Sequence, residues 1–368
     1  MITSSLLKDV TLIHDLDLPW KEPLQGRRHR AVRTAAERVR DRFAAGPRVL
    51  SVRTIPQTTL PYPTKYAFYS AAFSPVPYVT LTHRCVLVQF MQKGSVKNLL
   101  FNPTDVVAAR RAPYFARLLE QFHRIEPLLS KRFDPVPETL KTFGLIPEDI
   151  DYIAFDHFHT QDLRGLLGTR DKLRAPLYPN AVLLAPKREW DDWDDLHPLQ
   201  IAFFVREGKD GIRDDRVAFV EDDLLLGDGV MLLRTPGHTS GNQTLFLNTE
   251  NGVWGISENG TSADNWSPIE SKIKGLANTC RKHDLDVILN SNTPECAGDQ
   301  YTSMILERTL VDRVKRAPAF VQMFPSSEVT PSLLAPGLTP TLVHGELVSG
   351  QITKPEPRTT RHTEELRA

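Results

Sequence analysis

Ile150-Asp151-Tyr152-Ile153-Ala154-Phe155 reads as a buried strand, and it leads directly into Asp156-His157-Phe158-His159-Thr160-Gln161-Asp162. Alternate residues of an extended chain share a side, so His157 and His159 aim both imidazoles at one point just past the strand end. Further along, Arg234-Thr235-Pro236-Gly237-His238-Thr239-Ser240-Gly241 ends another strand in a Pro-Gly turn. That turn presents a third histidine at a fixed angle, and Gly241 permits close backbone packing. Neutral imidazole is the commonest side-chain ligand for borderline metals. Neither motif alone specifies a site; the pair does.

Short stretches rich in β-branched or aromatic residues recur along the chain: VLSVRTI, YVTLTH, RCVLVQFM, VKNLLFN, AVLLAP, RVAFVED, VMLLRTP, QTLFLN, GVWGIS and DVILNS. Helices are predicted over 104–132, 159–172, 268–284 and 299–316, the first with Val106, Val107, Tyr114, Leu118, Leu119 and Phe122 turned inward. Strand–helix alternation with many antiparallel-looking pairs predicts an α+β fold of sheets packed between helices. Residues 1–46 read as an N-terminal extension. In it Val32, Ala35, Ala36, Val39 and Phe43 keep helical spacing until Gly46-Pro47 stops the helix. Residues 47–324 are expected as the main domain. Residues 325–368, rich in Pro, Ser and Thr, are expected as a C-terminal arm, partly disordered.

Composition bounds what such a site acts on. The 368 residues carry 45 basic and 45 acidic side chains, a net charge of zero. That balance gives no electrostatic ground for nucleic acid or anionic membrane as the main partner. The basic cluster Arg27-Arg28-His29-Arg30 precedes a helix that mixes Arg33, Arg38, Arg40 and Arg42 with Glu37 and Asp41, the pattern of a solvated face. Cys85, Cys280 and Cys296 are too few and too scattered for a disulfide framework or a Cys-rich zinc site. The segment MITSSLLKDVTLIHDLDLPW has acidic residues where a signal peptide needs an apolar run, and no segment approaches a membrane span. A cytoplasmic protein with a small-molecule substrate is the expectation.

The two histidine motifs together resemble the metallo-β-lactamase superfamily, whose hallmarks are His-x-His-x-Asp-His and a later Thr-Pro-Gly-His-Thr loop. The likeness covers roughly residues 80–310. Gly144 to Ile153 resembles the approach to the first histidines, and Tyr178-Pro179-Asn180-Ala181 the strand that follows. Glu258-Asn259-Gly260 through Trp266 stands where the family has its bridging aspartate, and Asn290 to Glu295 where it has its last loop. The N-acyl homoserine lactonase-like branch is nearest in character. The resemblance implies an αββα four-layer sandwich, with the first metal on His157, His159 and His238. Three imidazoles plus a water make the open tetrahedral set of a catalytic zinc.

The second metal position departs from the family at every ligand. The expected aspartate, histidine, bridging aspartate and final histidine are here Gln161, Asp162, Glu258 and Asn292. All four offer oxygen, which suits Mg²⁺, Mn²⁺ or Ca²⁺ better than a second zinc. Two readings follow: a mixed site with a hard cation beside the histidine-bound metal, or a hydrogen-bonded polar pocket holding no ion. Glu258 itself has three readings: a ligand to the first metal, a general base, or a partner for Arg164, with Ser257 or Asn259 as alternative registers.

The function implied is metal-dependent hydrolysis of an ester, lactone, thioester or amide, with one zinc per chain. Asp162 or Glu258 would take the water's proton, and Gln161 and Asn292 would donate to the developing oxyanion. Two alternatives stand beside it. One is a mononuclear iron oxygenase with histidines plus Glu258 as ligands; the other is a non-catalytic protein that kept the fold and lost metal ligands. Glu189-Trp190-Asp191-Asp192-Trp193-Asp194-Asp195 reads as an exposed acidic helix end anchored by two aromatics. His83, His123, His197, His283 and His344 read as surface or satisfied core residues.

Overall fold

The computed structural model describes residues 7, 9–122 and 130–354. Its strands are β1 (Thr11–Ile13), β2 (Ser51–Pro63), β3 (Tyr78–Gln92), β4 (Ser95–Phe101), β5 (Tyr152–Ala154), β6 (Val182–Pro186) and β7 (Val217–Val220). There follow β8 (Asp223–Gly227), β9 (Val230–Arg234), β10 (Gln243–Thr249), β11 (Gly252–Ser257), β12 (Met323–Pro325), β13 (Ser327–Thr330) and β14 (Val348–Gly350). One sheet runs β1-β8-β9-β10-β11-β12; the other runs β14-β2-β3-β4-β5-β6-β7, with β13 also paired to β3. In the second sheet β2, β3 and β4 pair antiparallel, whereas β4, β5, β6 and β7 pair parallel. Parallel neighbours need a crossover connection, and the segments between these strands supply one each time.

Side-chain alternation sorts the strands into layers. On β3, Val86, Val88 and Phe90 face the other sheet, while Cys85 and Leu87 face the outer helices. On β9, Val230 and Leu232 meet them from the opposite side, while Met231 and Leu233 look outward. The first sheet's outer face is covered by α1 (Gln25–Ala45) and a second long helix (Ala297–Leu310). Val136 and Leu140 of the helix Val136–Thr142, with Leu166 and Leu167, cover the second sheet. Helix, sheet, sheet, helix is the expected αββα order.

The expected helices are cut shorter. In 104–132 the described part is a 3-10 turn at Ala108–Arg111 and a helix at Pro113–Phe122; the Phe122 side chain, His123 and the rest of 123–129 lie outside the described residues. The stretch 159–172 keeps only Arg164–Leu167, because Gly168 turns at φ 77°. The stretch 268–284 splits into Pro268–Glu270 and Leu276–His283 at Gly275, φ 103°. Described residues of both the expected extension and the expected arm take part in the sheets. Val32, Ala35, Ala36, Val39 and Phe43 of α1 are buried as their spacing predicts, and β1 pairs with β8. Past Pro325, β13 pairs with β3 and β14 with β2, covering edges that would otherwise present unpaired backbone. Residues 355–368 of the expected arm lie outside the described residues. No helix among the described residues is long and apolar enough to cross a membrane.

Candidate metal centre

The three histidines meet because their strands end on one rim of the sandwich. His157 and His159 follow β5 in one sheet, and His238 follows β9 in the other. The sheets are stitched at that rim: Gln243 at the start of β10 donates its backbone N–H to the Asp156 carbonyl at 2.9 Å and its side-chain amide to the Phe155 carbonyl at 2.8 Å. The ring centroids of His157, His159 and His238 lie 4.6 to 5.1 Å apart. All three rings are buried, each offering a ligand atom within 4.8 Å of the others; among the described residues no other group of three metal-binding side chains comes together.

A buried glutamate ties the two histidine loops to each other. Glu189 is 1% exposed. It accepts from the Phe158 N–H at 2.9 Å, between the first two histidines, and from Thr239 Oγ1 at 2.8 Å and Gly241 N at 3.2 Å, just past the third. The expected exposed acidic helix end is therefore corrected at Glu189. The tryptophans do anchor the helix, but the glutamate turns inward because three otherwise unpaired donors wait there. Gly241 has no freedom here: a Cβ on it would collide with the Glu189 backbone.

Each imidazole has one nitrogen occupied. His157 Nδ1 donates to Asp156 Oδ1 at 2.7 Å, His159 Nε2 to Gln200 Oε1 at 2.5 Å, and His238 Nδ1 to the Asn290 carbonyl at 3.1 Å. Asp156 is itself held by Ser326 at 2.5 Å and Asn102 at 2.9 Å. Burial would raise its carboxyl, but His157 and these donors hold it below the ordinary aspartate value. Burial pushes His238 down to about 3, and burial with the neighbouring histidines pushes His159 well below the ordinary histidine value. Both are neutral imidazoles, the ligating form.

The bare nitrogens of His159 and His238 stand 3.3 Å apart with their lone pairs toward each other. Two lone pairs at that distance repel unless a cation lies between them. With zinc–nitrogen bonds of about 2.0–2.1 Å, a tetrahedral site has an edge of about 3.3–3.4 Å. The His159–His238 separation matches one such edge, and each of the three histidines has the outer hydrogen bond that metal ligands carry.

The layer order is the αββα order that the sequence resemblance implies. No protein-family model matches the chain, and no curated protein is significantly similar to it. Among solved structures it is similar to a probable metal-dependent hydrolase from Staphylococcus aureus, at 12% identity over 69% of this chain and 82% of that one, TM-score 0.47. It is similar to a quorum-quenching N-acyl homoserine lactone lactonase at 19% identity over 65% and 87%, TM-score 0.44. It is similar also to AidC, a dizinc quorum-quenching lactonase, at 14% identity over 83% and 96%, TM-score 0.44.

Of the four oxygen residues of the expected second site, Gln161, Glu258 and Asn292 line the cavity beside the histidines and Asp162 does not. Asp162 is bound by Arg111, by Arg164 at 2.9 and 3.0 Å and by Arg174 at 3.3 Å. Burial works against its charge, yet the Arg164 hydrogen bonds and the charges of Arg164 and Arg111 hold it below the ordinary value. It lines no part of the cavity beside the histidines, and its carboxylate is taken up by the three arginines instead of facing the expected water. Gln161 does line that cavity but donates its amide N–H to Thr104 Oγ1 at 3.0 Å, leaving its carbonyl oxygen unpaired. As placed it is an acceptor, so the expected oxyanion role does not suit it. Asn292 lines the cavity with its Oδ1 also unpaired. Glu258 lines it too, outside the histidine ligand group, and Arg164 pairs with Asp162 and Glu207 instead of with it. Burial, then the charge of Asp156, pushes the Glu258 carboxyl well above the usual carboxylate range.

A hydrogen-bonded polar wall runs along one side of this cavity. His83 Nε2 meets Thr104 Oγ1 at 2.9 Å and its Nδ1 meets Ser327 Oγ at 3.0 Å; Ser327 in turn bonds Glu258. His83 therefore lines the cavity as a satisfied residue, the second of the two readings given to it. No local signal marks it, because β13 brings Ser327 to it across the sheet. The cavity measures about 170 Å³ and leads from the histidines between apolar walls, Leu60 and Leu81 on the sheet side, Tyr114, Phe115 and Leu118 on the helix Pro113–Phe122.

Proposed function

We propose that the protein is a metal-dependent hydrolase holding one ion, zinc by its ligand chemistry, on His157, His159 and His238. Its substrate on this reading is an ester, lactone, thioester or amide with an apolar acyl group. One observation carries the reading: two bare imidazole nitrogens face each other at 3.3 Å, at the foot of an apolar-walled cavity. A bound ion of this kind lowers the pKa of its water towards about 7 and polarises a carbonyl. The chain's own groups do the rest. Asp156, Gln200 and the Asn290 carbonyl fix the three rings. The apolar walls receive the acyl group and keep bulk water from it. Burial and the charge of Asp156 favour the protonated form of the Glu258 carboxyl, which on this reading gives a proton to the leaving oxygen or nitrogen. The unpaired oxygens of Gln161 and Asn292 accept from an N–H or O–H of the substrate.

The test is metal content by mass spectrometry on protein purified without chelator or histidine tag, with hydrolysis assays over a panel of acyl esters, lactones, thioesters and amides. About one zinc per chain is expected, lost together with hydrolysis in His157→Ala and His238→Ala. Protein that takes no metal even after reconstitution overturns the reading, and metal with no hydrolysis of any acyl compound overturns its second half.

A further inference from the structure

We propose that Gln200, held by the Asn290–Glu295 loop, is the positioning residue that fixes the tautomer of His159 and with it the metal affinity of the site; this rests on the metal-centre reading. Gln200 is buried, and all of its amide groups are engaged. Its Nε2 donates to Thr293 Oγ1 at 2.8 Å and to Glu295 Oε1 at 2.6 Å. Two acceptors on that side leave its Oε1 as the only atom that can face His159, at 2.5 Å. A carbonyl oxygen cannot donate, so His159 must carry its proton on Nε2, and Nδ1 is left bare toward His238. Turning the amide over would place oxygen against oxygen at Glu295 and against Thr293 Oγ1, whose proton is already given to Glu295 Oε1 at 2.8 Å. The orientation is locked from the loop side.

The same loop also sets His238, whose Nδ1 donates to the Asn290 carbonyl. That carbonyl is braced by Gln300 Nε2 at 2.5 Å, and the Asn290 side chain holds the Glu258 carbonyl at 2.7 Å and Tyr62 Oη at 2.8 Å. One loop thus orients two of the three imidazoles from behind, His238 through its backbone and His159 through Gln200, without contributing a ligand.

Outer hydrogen-bond partners of metal-binding histidines typically change affinity by about 10–100-fold when removed. The experiment compares zinc affinity, by competition with a chromophoric chelator, for the wild type, Gln200→Leu and the double variant Gln200→Glu/Glu295→Gln. The double variant keeps an acceptor on His159 and a donor on the other side. In parallel, ¹⁵N NMR of the metal-free wild type reads the His159 tautomer. Expected are an Nε2–H tautomer, a 10–100-fold weaker Gln200→Leu that still unfolds cooperatively, and recovery to within a few-fold in the double variant. Zinc affinity of Gln200→Leu within threefold of wild type overturns the role of Gln200 and leaves the hydrolase reading standing. A wild type that binds no zinc overturns the hydrolase reading and the affinity half of this one; the tautomer then decides the other half, with Nδ1–H overturning the hold of Gln200 on His159 and Nε2–H supporting it.

Discussion

A carboxylate that accepts from both histidine loops at once is the residue on which the rim depends. Glu189→Gln keeps the size but puts an amide N–H where only donors point, so at least one of Phe158 N, Thr239 Oγ1 and Gly241 N loses its partner. A hydrogen bond to a buried charged group contributes about 1.5–3 kcal/mol. A loss in that range is expected in denaturant unfolding, together with weaker zinc binding. Asp162 gives the pH-dependent counterpart. Its carboxyl is held below its unfolded value by Arg164 and Arg111, so its contribution is present above the ordinary aspartate pKa and lost as pH falls below about 4. Asp162→Asn should therefore cost about 2 kcal/mol at pH 7 and flatten that acid limb. This is less than a fully buried pair costs, because Arg111 and Arg174 are 41% and 40% exposed. Stability curves from pH 3 to 7 check both statements; an acid limb as steep as wild type would contradict the assignment.

At the scale of elements, the helix Pro113–Phe122 forms one wall of the cavity, and Arg111 just before it is tied to Asp162. Leu118 lines the cavity at 8% exposure. Leu118→Ala should cost about 2 kcal/mol, at the low end for leucine truncation because one side already faces open space. It should also move the preferred acyl chain to greater length, read as kcat/KM across a chain-length series. Unchanged preference would place the acyl group elsewhere. The turn after His159 explains why Asp162 does not stand beside the histidines. Thr160 sits at φ 63°, rare for a β-branched residue, with its N–H on the Phe203 carbonyl at 2.7 Å. The every-other-residue rule that correctly aligned His157 with His159 cannot pass through a left-handed residue. Asp162 therefore leaves the histidines for the arginines, though it lies only three positions from His159.

For the molecule as a whole, the departure from a two-metal site predicts one bound ion and a stability linked to it. Zinc at a hundred times its Kd should add about 2.7 kcal/mol to unfolding, and chelator should remove it. A melting temperature indifferent to both would point to the protein that kept only the fold. The sequence by itself determined what is local in the chain. Helical spacing placed Val32, Ala35, Ala36, Val39 and Phe43 on one buried face, and two strand-end motifs named His157, His159 and His238. Such patterns hold because a period of two or 3.6 residues is fixed by the backbone before any packing occurs. Only the tertiary structure decided what surrounds those histidines. Glu189, Gln200, Asn290 and His83 are brought in by other strands and loops, through contacts between residues remote in the chain. No periodicity records such contacts, because a hydrogen bond across the rim depends on where two sheets meet.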